Sequence, residues 1–68
     1  MSSIAKEFGQ LLRQKRKELG VSQDKLALMS DIDRSYVGRV ERGEVNITLE
    51  KVYQFAKALN CDVRQLIP

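Results

Sequence analysis

The chain has 68 residues, 43% of them hydrophobic, and its 12 Lys and Arg against 9 Asp and Glu give a net charge of +3. This length allows one small domain, residues 1–68, and excludes a two-domain enzyme or a doubly wound cofactor fold. The composition is typical of a globular protein. It shows neither an apolar run long enough to span a membrane nor a signal-peptide core.

Residue types that many enzymes and metal sites require are missing. The chain has no histidine and a single cysteine, Cys61. An imidazole-based triad, a structural zinc site and an internal disulfide are therefore excluded. We expect a cytoplasmic protein that is not an enzyme and that uses no cofactor, metal ion, small-molecule ligand or membrane.

Hydrophobic periodicity predicts five helices and no strand. The first helix ends at Gly20 and contains Gly9, which costs up to about 1 kcal/mol relative to alanine. Its apolar face is formed by Ile4, Phe8, Leu11, Leu12 and Leu19. Ser22 is positioned to cap a short second helix, whose buried face we assign to Leu26, Ala27 and Met29.

Asp33 is predicted to cap a third helix from about Arg34 to Arg42, which Gly43 closes. Thr48 is predicted to cap a fourth helix with the apolar residues Leu49, Val52, Tyr53, Phe55, Ala56 and Leu59. A last short turn carries Val63, Leu66 and Ile67. The fold class is therefore all-α, a compact five-helix bundle.

The third helix has an unusual outer face. Val37, Val40 and Glu41 share one side, and Ser35, Gly38, Arg39 and Arg42 lie on the other. Such a face is either a solvated basic surface or a DNA-reading surface, and Gly38 is either an indifferent surface glycine or a point of close approach to the duplex. The tight turn between the second and third helices, within about residues 22–42, favours a helix-turn-helix.

The sequence resembles the Xre/Cro-type, phage lambda repressor-like helix-turn-helix domain from Phe8 to Leu59 and onward to Leu66. The residues that carry this resemblance are Leu12 to Arg16, Gly20 to Gln23, Leu26-Ala27, Tyr36-Val37, Glu41 to Gly43 and Asn46 to Leu49. Within the family, the chain is most similar to controller proteins of restriction–modification systems. Asp31 stands where the family commonly has glycine, and aspartate tolerates the left-handed backbone that this turn needs.

The resemblance implies the roles of individual residues in DNA binding. Base edges are read by Arg34, Ser35, Tyr36 and Arg39. The DNA backbone is contacted by Ser22, Gln23, Arg42, Asn46 and Thr48. Arg16 and Glu41 both fall on apolar faces, so they are predicted to form a structural ion pair, the alternative being that each side chain reaches solvent separately.

The sequence thus predicts a transcriptional regulator that binds double-stranded DNA at a palindromic operator as a homodimer and is autoregulatory. Dimer contacts are assigned to Val63, Leu66 and Ile67 because helix four and the last turn carry more apolar residues than one small core can cover. Two alternatives stay open. One is an antitoxin that binds a toxin and represses its own operon, and the other is a non-specific nucleic-acid or protein-docking module.

Overall fold

In the computed structural model, which describes residues 3–68, four α-helices follow one another along the chain. They are α1 Ile4–Glu18, α2 Gln23–Ser30, α3 Arg34–Glu41 and α4 Leu49–Ala58. A 3-10 helix, Val63–Gln65, follows α4. The all-helical fold class is confirmed, with no strand among residues 3–68. The predicted number of five α-helices is wrong, because the last element is a three-residue 3-10 turn.

Each helix is preceded by a residue whose side-chain oxygen accepts a hydrogen bond from a backbone N–H of the first turn. This oxygen gives a partner to one of the N–H donors that the start of a helix leaves unpaired. The predicted caps Ser22, Asp33 and Thr48 are confirmed. Ser3 and Asp62 cap α1 and the 3-10 helix in the same way. The positions of these short polar side chains therefore determine where the elements start.

The core lies between the packed helices: α1 packs on α3, and α2 packs on both α3 and α4. Its members are Phe8, Leu12, Leu26, Ala27, Ile32, Val37, Val40, Val52, Phe55, Ala56, Leu59 and Leu66. Gln54 of α4 donates to the carbonyl oxygen of Ser30 at 3.4 Å, which ties α4 to the end of α2. Among residues 3–68, no helix has the length and apolarity needed to cross a bilayer.

Several residues predicted to be buried are exposed instead: Ile4, Leu19, Met29, Leu49 and Tyr53. Ile4 and Leu49 are the first residues of α1 and α4, where no neighbouring helix covers them. Leu19 is the C-cap of α1. Met29 and Tyr53 lie beside the buried stripes of α2 and α4, on the solvent side of each helix.

Gly9 has a packing role that its helical position alone does not show. A Cβ atom built on Gly9 would lie 2.4 Å from the carbonyl oxygen of Val40 and 2.6 Å from that of Glu41. These distances are far below van der Waals contact, so only glycine permits α1 to approach the backbone of α3 this closely. Gly9 therefore lowers the helix propensity of α1, as predicted, but it allows the close contact that positions α3.

Candidate nucleic-acid interface

The turn between α2 and α3 is built by three consecutive residues. Asp31 adopts the left-handed conformation at φ 58° and ψ 39°, as the sequence predicted, and ends α2. The N–H of Ile32 donates to the carbonyl oxygen of Ala27 at 3.1 Å while its side chain enters the core. Asp33 then begins α3. Because the turn is anchored by both a buried side chain and a backbone hydrogen bond, α3 has a defined direction relative to α2.

A buried ion pair holds α3 against α1. The Nε and Nη2 atoms of Arg16 donate to the two carboxylate oxygens of Glu41, at 2.7 and 3.0 Å. Arg16 also donates from Nη1 to the carbonyl oxygen of Val21 at 2.9 Å, and Gln23 donates to Glu41 Oε1 at 2.9 Å. The structure thus brings together the two charges that the sequence placed on apolar faces. It adds Gln23, so that α1, the start of α2 and the end of α3 share one network.

The opposite face of α3 is open to solvent. Arg34, Ser35, Arg39 and Arg42 are exposed, and Tyr36 is half-buried. The side chains assigned to base readout therefore lie together on the accessible side of α3, while Val37, Val40 and Glu41 face inward. Since the inner face is fixed by packing and the ion pair, the outer face is presented on a rigid support.

Two exposed residues at the start of α3 already have acidic partners. Arg34 donates from Nε to Asp24 Oδ1 of α2 at 2.9 Å. The hydroxyl and backbone N–H of Ser35 both donate to Asp33. The Ser35 hydroxyl lowers the pKa of Asp33 below its ordinary value, since it stabilises the charged carboxylate. The Asp24 contact was not predicted, because no sequence pattern links two exposed polar residues on different helices.

Two cations lie over the ring of Tyr36. The guanidinium carbon of Arg39 is 5.6 Å from the ring centroid, and Nζ of Lys51 is 5.5 Å from it. Both distances are within the range of cation–π attraction. Lys51 lies outside the set of residues that the sequence predicts for the site. Its location on the inward-turned edge of α4 becomes apparent only when the helices are packed.

The residues assigned to the DNA backbone are spread over three segments. Ser22 and Thr48 accept the N–H groups of Lys25 and Lys51 at 3.0 and 3.3 Å. The exposed residues Arg42 and Asn46 belong to the segment after α3.

Arg42 donates to Glu44 at 2.7 Å. This pairing lowers the pKa of Glu44 and raises that of Arg42, since each charge stabilises the other. Four of the five backbone candidates, Asn46 being the exception, are therefore already held by hydrogen bonds within the protein.

Gly38 is covered by two arginines. A Cβ atom at this position would lie 3.3 Å from Nη1 of Arg34 and 3.2 Å from Nη1 of Arg42. The guanidinium groups therefore approach each other over the helix backbone, in the space that a larger residue would fill.

The residues assigned to dimer contacts differ in their accessibility. Leu66 is fully buried in the core of its own chain, so its assignment to a dimer contact is wrong. Val63 is partly buried, and Ile67 is 49% exposed. Ile67 borders an open, mainly apolar groove of about 240 Å³, together with Ile4, Ala5, Phe8, Asn46, Ile47, Leu49, Val52 and Pro68.

Comparison with known proteins places these features in a family. The sequence model of the HTH_3 helix-turn-helix family matches residues 12–66. Control protein C.BamHI of Bacillus amyloliquefaciens is 38% identical over 61 residues, which span 88% of this chain and 75% of that protein. Control protein C.SmaI of Serratia marcescens is 47% identical over 47 residues, 69% of this chain and 56% of that protein.

A solved structure is similar along almost its whole length. The crystal structure of the restriction-modification controller protein C.AhdI from Aeromonas hydrophila aligns with a TM-score of 0.90 and 46% identity. The alignment covers 93% of this chain and 96% of that one.

Proposed function

The chain belongs to the HTH_3 helix-turn-helix family and is a DNA-binding transcriptional regulator rather than an enzyme, and from this premise we propose that it acts in the cytoplasm as a homodimer on a palindromic operator. The similarity to restriction–modification controller proteins supports a role in controlling the genes of such a system. Its own gene is a target in this proposal, so that operator occupancy follows the protein's own concentration.

The observation that carries the proposal is the division of α3 into a fixed inner face and an open outer face. An α-helix such as α3 is about 10–12 Å across with its side chains, which fits the major groove, about 12 Å wide. The buried Arg16–Glu41 pair resists rotation of α3 about its axis. Docking of α3 in the groove then directs the same side chains to the base edges at every encounter.

Base readout is assigned to Arg34, Ser35, Tyr36 and Arg39. Arginine supplies parallel N–H donors that match O6 and N7 of guanine, and serine donates to or accepts from several base edges. The ring of Tyr36, with Arg39 and Lys51 over it, presents a hydroxyl and an apolar edge to the groove.

Backbone contacts are assigned to Ser22, Gln23, Arg42, Asn46 and Thr48. The hydroxyl oxygens of Ser22 and Thr48 accept backbone N–H groups, which leaves each O–H free to donate to a phosphate oxygen. Arg42 can exchange Glu44 for a phosphate at little cost, since the pair is solvent-exposed. Contacts of this kind set register and affinity without selecting sequence.

Dimerisation is assigned to the apolar groove and its rim, with Ile67, Val63 and Leu49 as the main contacts. Leu49 is 75% exposed, and an exposed apolar patch of this kind is typical of an interface. One short recognition helix also contacts only a few base pairs. A two-fold axis doubles the recognised sequence and places the half-sites about 34–36 Å apart, one turn of duplex.

Selection of bound duplexes from a random library tests the proposal. We expect an inverted repeat to emerge. Arg34→Ala and Arg39→Ala should each weaken operator binding by about 1–3 kcal/mol and relax the preference at one position of each half-site. Asn46→Ala, the matched control, should weaken specific and non-specific binding alike. Unchanged specificity in both arginine variants, or strictly monomeric behaviour in sedimentation with equal affinity for a half-site and the full repeat, would contradict the proposal.

A further inference from the structure

The side chain of Arg34 is ordered by a residue of the other helix of the helix-turn-helix before any DNA is bound. Asp24, in the first turn of α2, accepts the Nε–H of Arg34 at 2.9 Å. The side chains of Arg34 and Asp24 are 53% and 84% exposed, so burial does not force them together. An exposed arginine can adopt many orientations, and the hydrogen bond to Asp24 selects one of them.

The atom that Asp24 binds determines which edge of the guanidinium remains available. Arginine has five N–H donors. Two parallel donors are needed to bind guanine O6 and N7 together, and they come either from Nε with one Nη or from the two Nη atoms. While Asp24 holds Nε, the terminal Nη1 and Nη2 edge is the one left for a bidentate contact.

Gly38 provides the room in which this edge lies. Arg34, Gly38 and Arg42 follow one another at four-residue intervals, in one row along α3. A Cβ at Gly38 would come within 3.3 Å of Arg34 Nη1 and 3.2 Å of Arg42 Nη1. Contacts this close require both guanidinium groups to shift, although both are flexible enough to do so without unfolding the helix.

We propose that Asp24 and Gly38 are specificity-determining positions that act through Arg34. Asp24 binds Nε, and Gly38 leaves room for the terminal edge beside the helix backbone. The inference rests on the proposed function, in which Arg34 contacts a base. It adds two residues that themselves touch no DNA in that assignment.

The test first locates the base pair that Arg34 contacts. A duplex selected by the parent chain from a random library is compared with duplexes selected by Arg34→Ala, and the position whose preference disappears is the Arg34 position. Dissociation constants are then measured on the parent-selected duplex and on one with that base pair replaced, at one salt concentration. The ratio of the two constants is the discrimination at that position.

Asp24→Ala is compared with Glu50→Ala, a matched control in which an exposed acid is also removed from the first turn of a helix. Both variants gain one unit of positive charge, so a uniform rise in affinity should occur in both. Only Asp24→Ala should lower the discrimination, by about two- to fivefold, the range expected for loss of an exposed ion pair. Gly38→Ala should lower it by about five- to tenfold, within the range of one bidentate contact.

The outcomes separate this inference from the proposed function. If the parent selects no sequence, or Arg34→Ala keeps every preference, the proposed function or its orientation of α3 is refuted and the inference fails with it. If Arg34→Ala loses one preference while Asp24→Ala and Gly38→Ala keep it, the inference alone is overturned. Equal loss of discrimination in Asp24→Ala and Glu50→Ala also overturns it, because the effect would then follow from charge alone.

Discussion

Replacement of Glu41 by alanine removes the acceptor on which three helices converge. Glu41 accepts hydrogen bonds from Arg16 Nε and Nη2 and from Gln23, at 2.7, 3.0 and 2.9 Å. In Glu41→Ala, Arg16 keeps only its bond to the carbonyl oxygen of Val21. Its guanidinium then lies almost completely buried without a counter-ion, and the Gln23 amide also loses its partner.

The expected loss of stability is a large part of the total free energy of unfolding. Removal of one partner from a buried ion pair costs about 3–5 kcal/mol, because the remaining charge is desolvated without compensation. A domain of 68 residues has a free energy of unfolding of about 3–10 kcal/mol. The melting temperature should therefore fall by at least about 12–24 °C, at 4–8 °C per kcal/mol for a domain of this size, and the least stable case is an unfolded chain.

Chemical denaturation followed by far-UV circular dichroism measures the effect. The double variant Arg16→Met/Glu41→Leu is the control, since it removes both charges and fills the space with apolar side chains. We expect it to be more stable than Glu41→Ala, and comparison with the single variants Arg16→Met and Glu41→Leu should give an interaction energy of about 0.5–3 kcal/mol between the two positions. A loss below about 1 kcal/mol in Glu41→Ala, or strictly additive losses in the double variant, would show that the pair does not hold the helices together.

Three further predictions concern local features. Gly9→Ala should destabilise the fold in thermal melts despite its better helix propensity, since its Cβ would overlap the carbonyl oxygen of Val40; an equal or higher melting temperature would contradict the packing role. Thr48→Ala should cost about 1 kcal/mol in denaturant unfolding through loss of the cap on α4, while Thr48→Ser retains it; equal losses would exclude capping. Ser35→Ala should raise the pKa of Asp33 toward its ordinary value in an NMR titration. Because the Asp33 pKa is depressed in the folded state, the charged carboxylate stabilises the fold above the unfolded pKa of about 3.9. This stabilisation is lost as pH falls through the folded pKa. If Asp33 titrates at the same pKa in Ser35→Ala as in the parent chain, the Ser35 hydroxyl is not the cause.

Burial was harder to predict from the sequence than helix position. Leu19, Met29 and Tyr53 were assigned to buried faces and are exposed, whereas Leu66 was assigned to a surface contact and lies in the core. Periodicity specifies which residues share a face of one helix, but not which part of that face a neighbouring element covers. The cover depends on crossing angles and on close approaches, such as that of Gly9 to α3.

The candidate site shows the same difference between features within one helix and contacts between helices. The outer face of α3 could be predicted because its residues lie within one helix, and the Arg16–Glu41 pairing because both charges fall on apolar faces. The partners of the exposed residues could not. Asp24 contacts Arg34, and Lys51 contacts Tyr36, across elements whose relative placement is absent from any local pattern.

The helical class, the capped helix starts and the turn at Asp31 follow from the order of the residues, because they depend on interactions within a few residues. The choice of apolar residues that form the core, the need for glycine at position 9 and the orientation of Arg34 follow from the packed helices. Each of these depends on atoms from segments distant in the chain, whose approach is set by the packing of whole helices and not by the residues next to them.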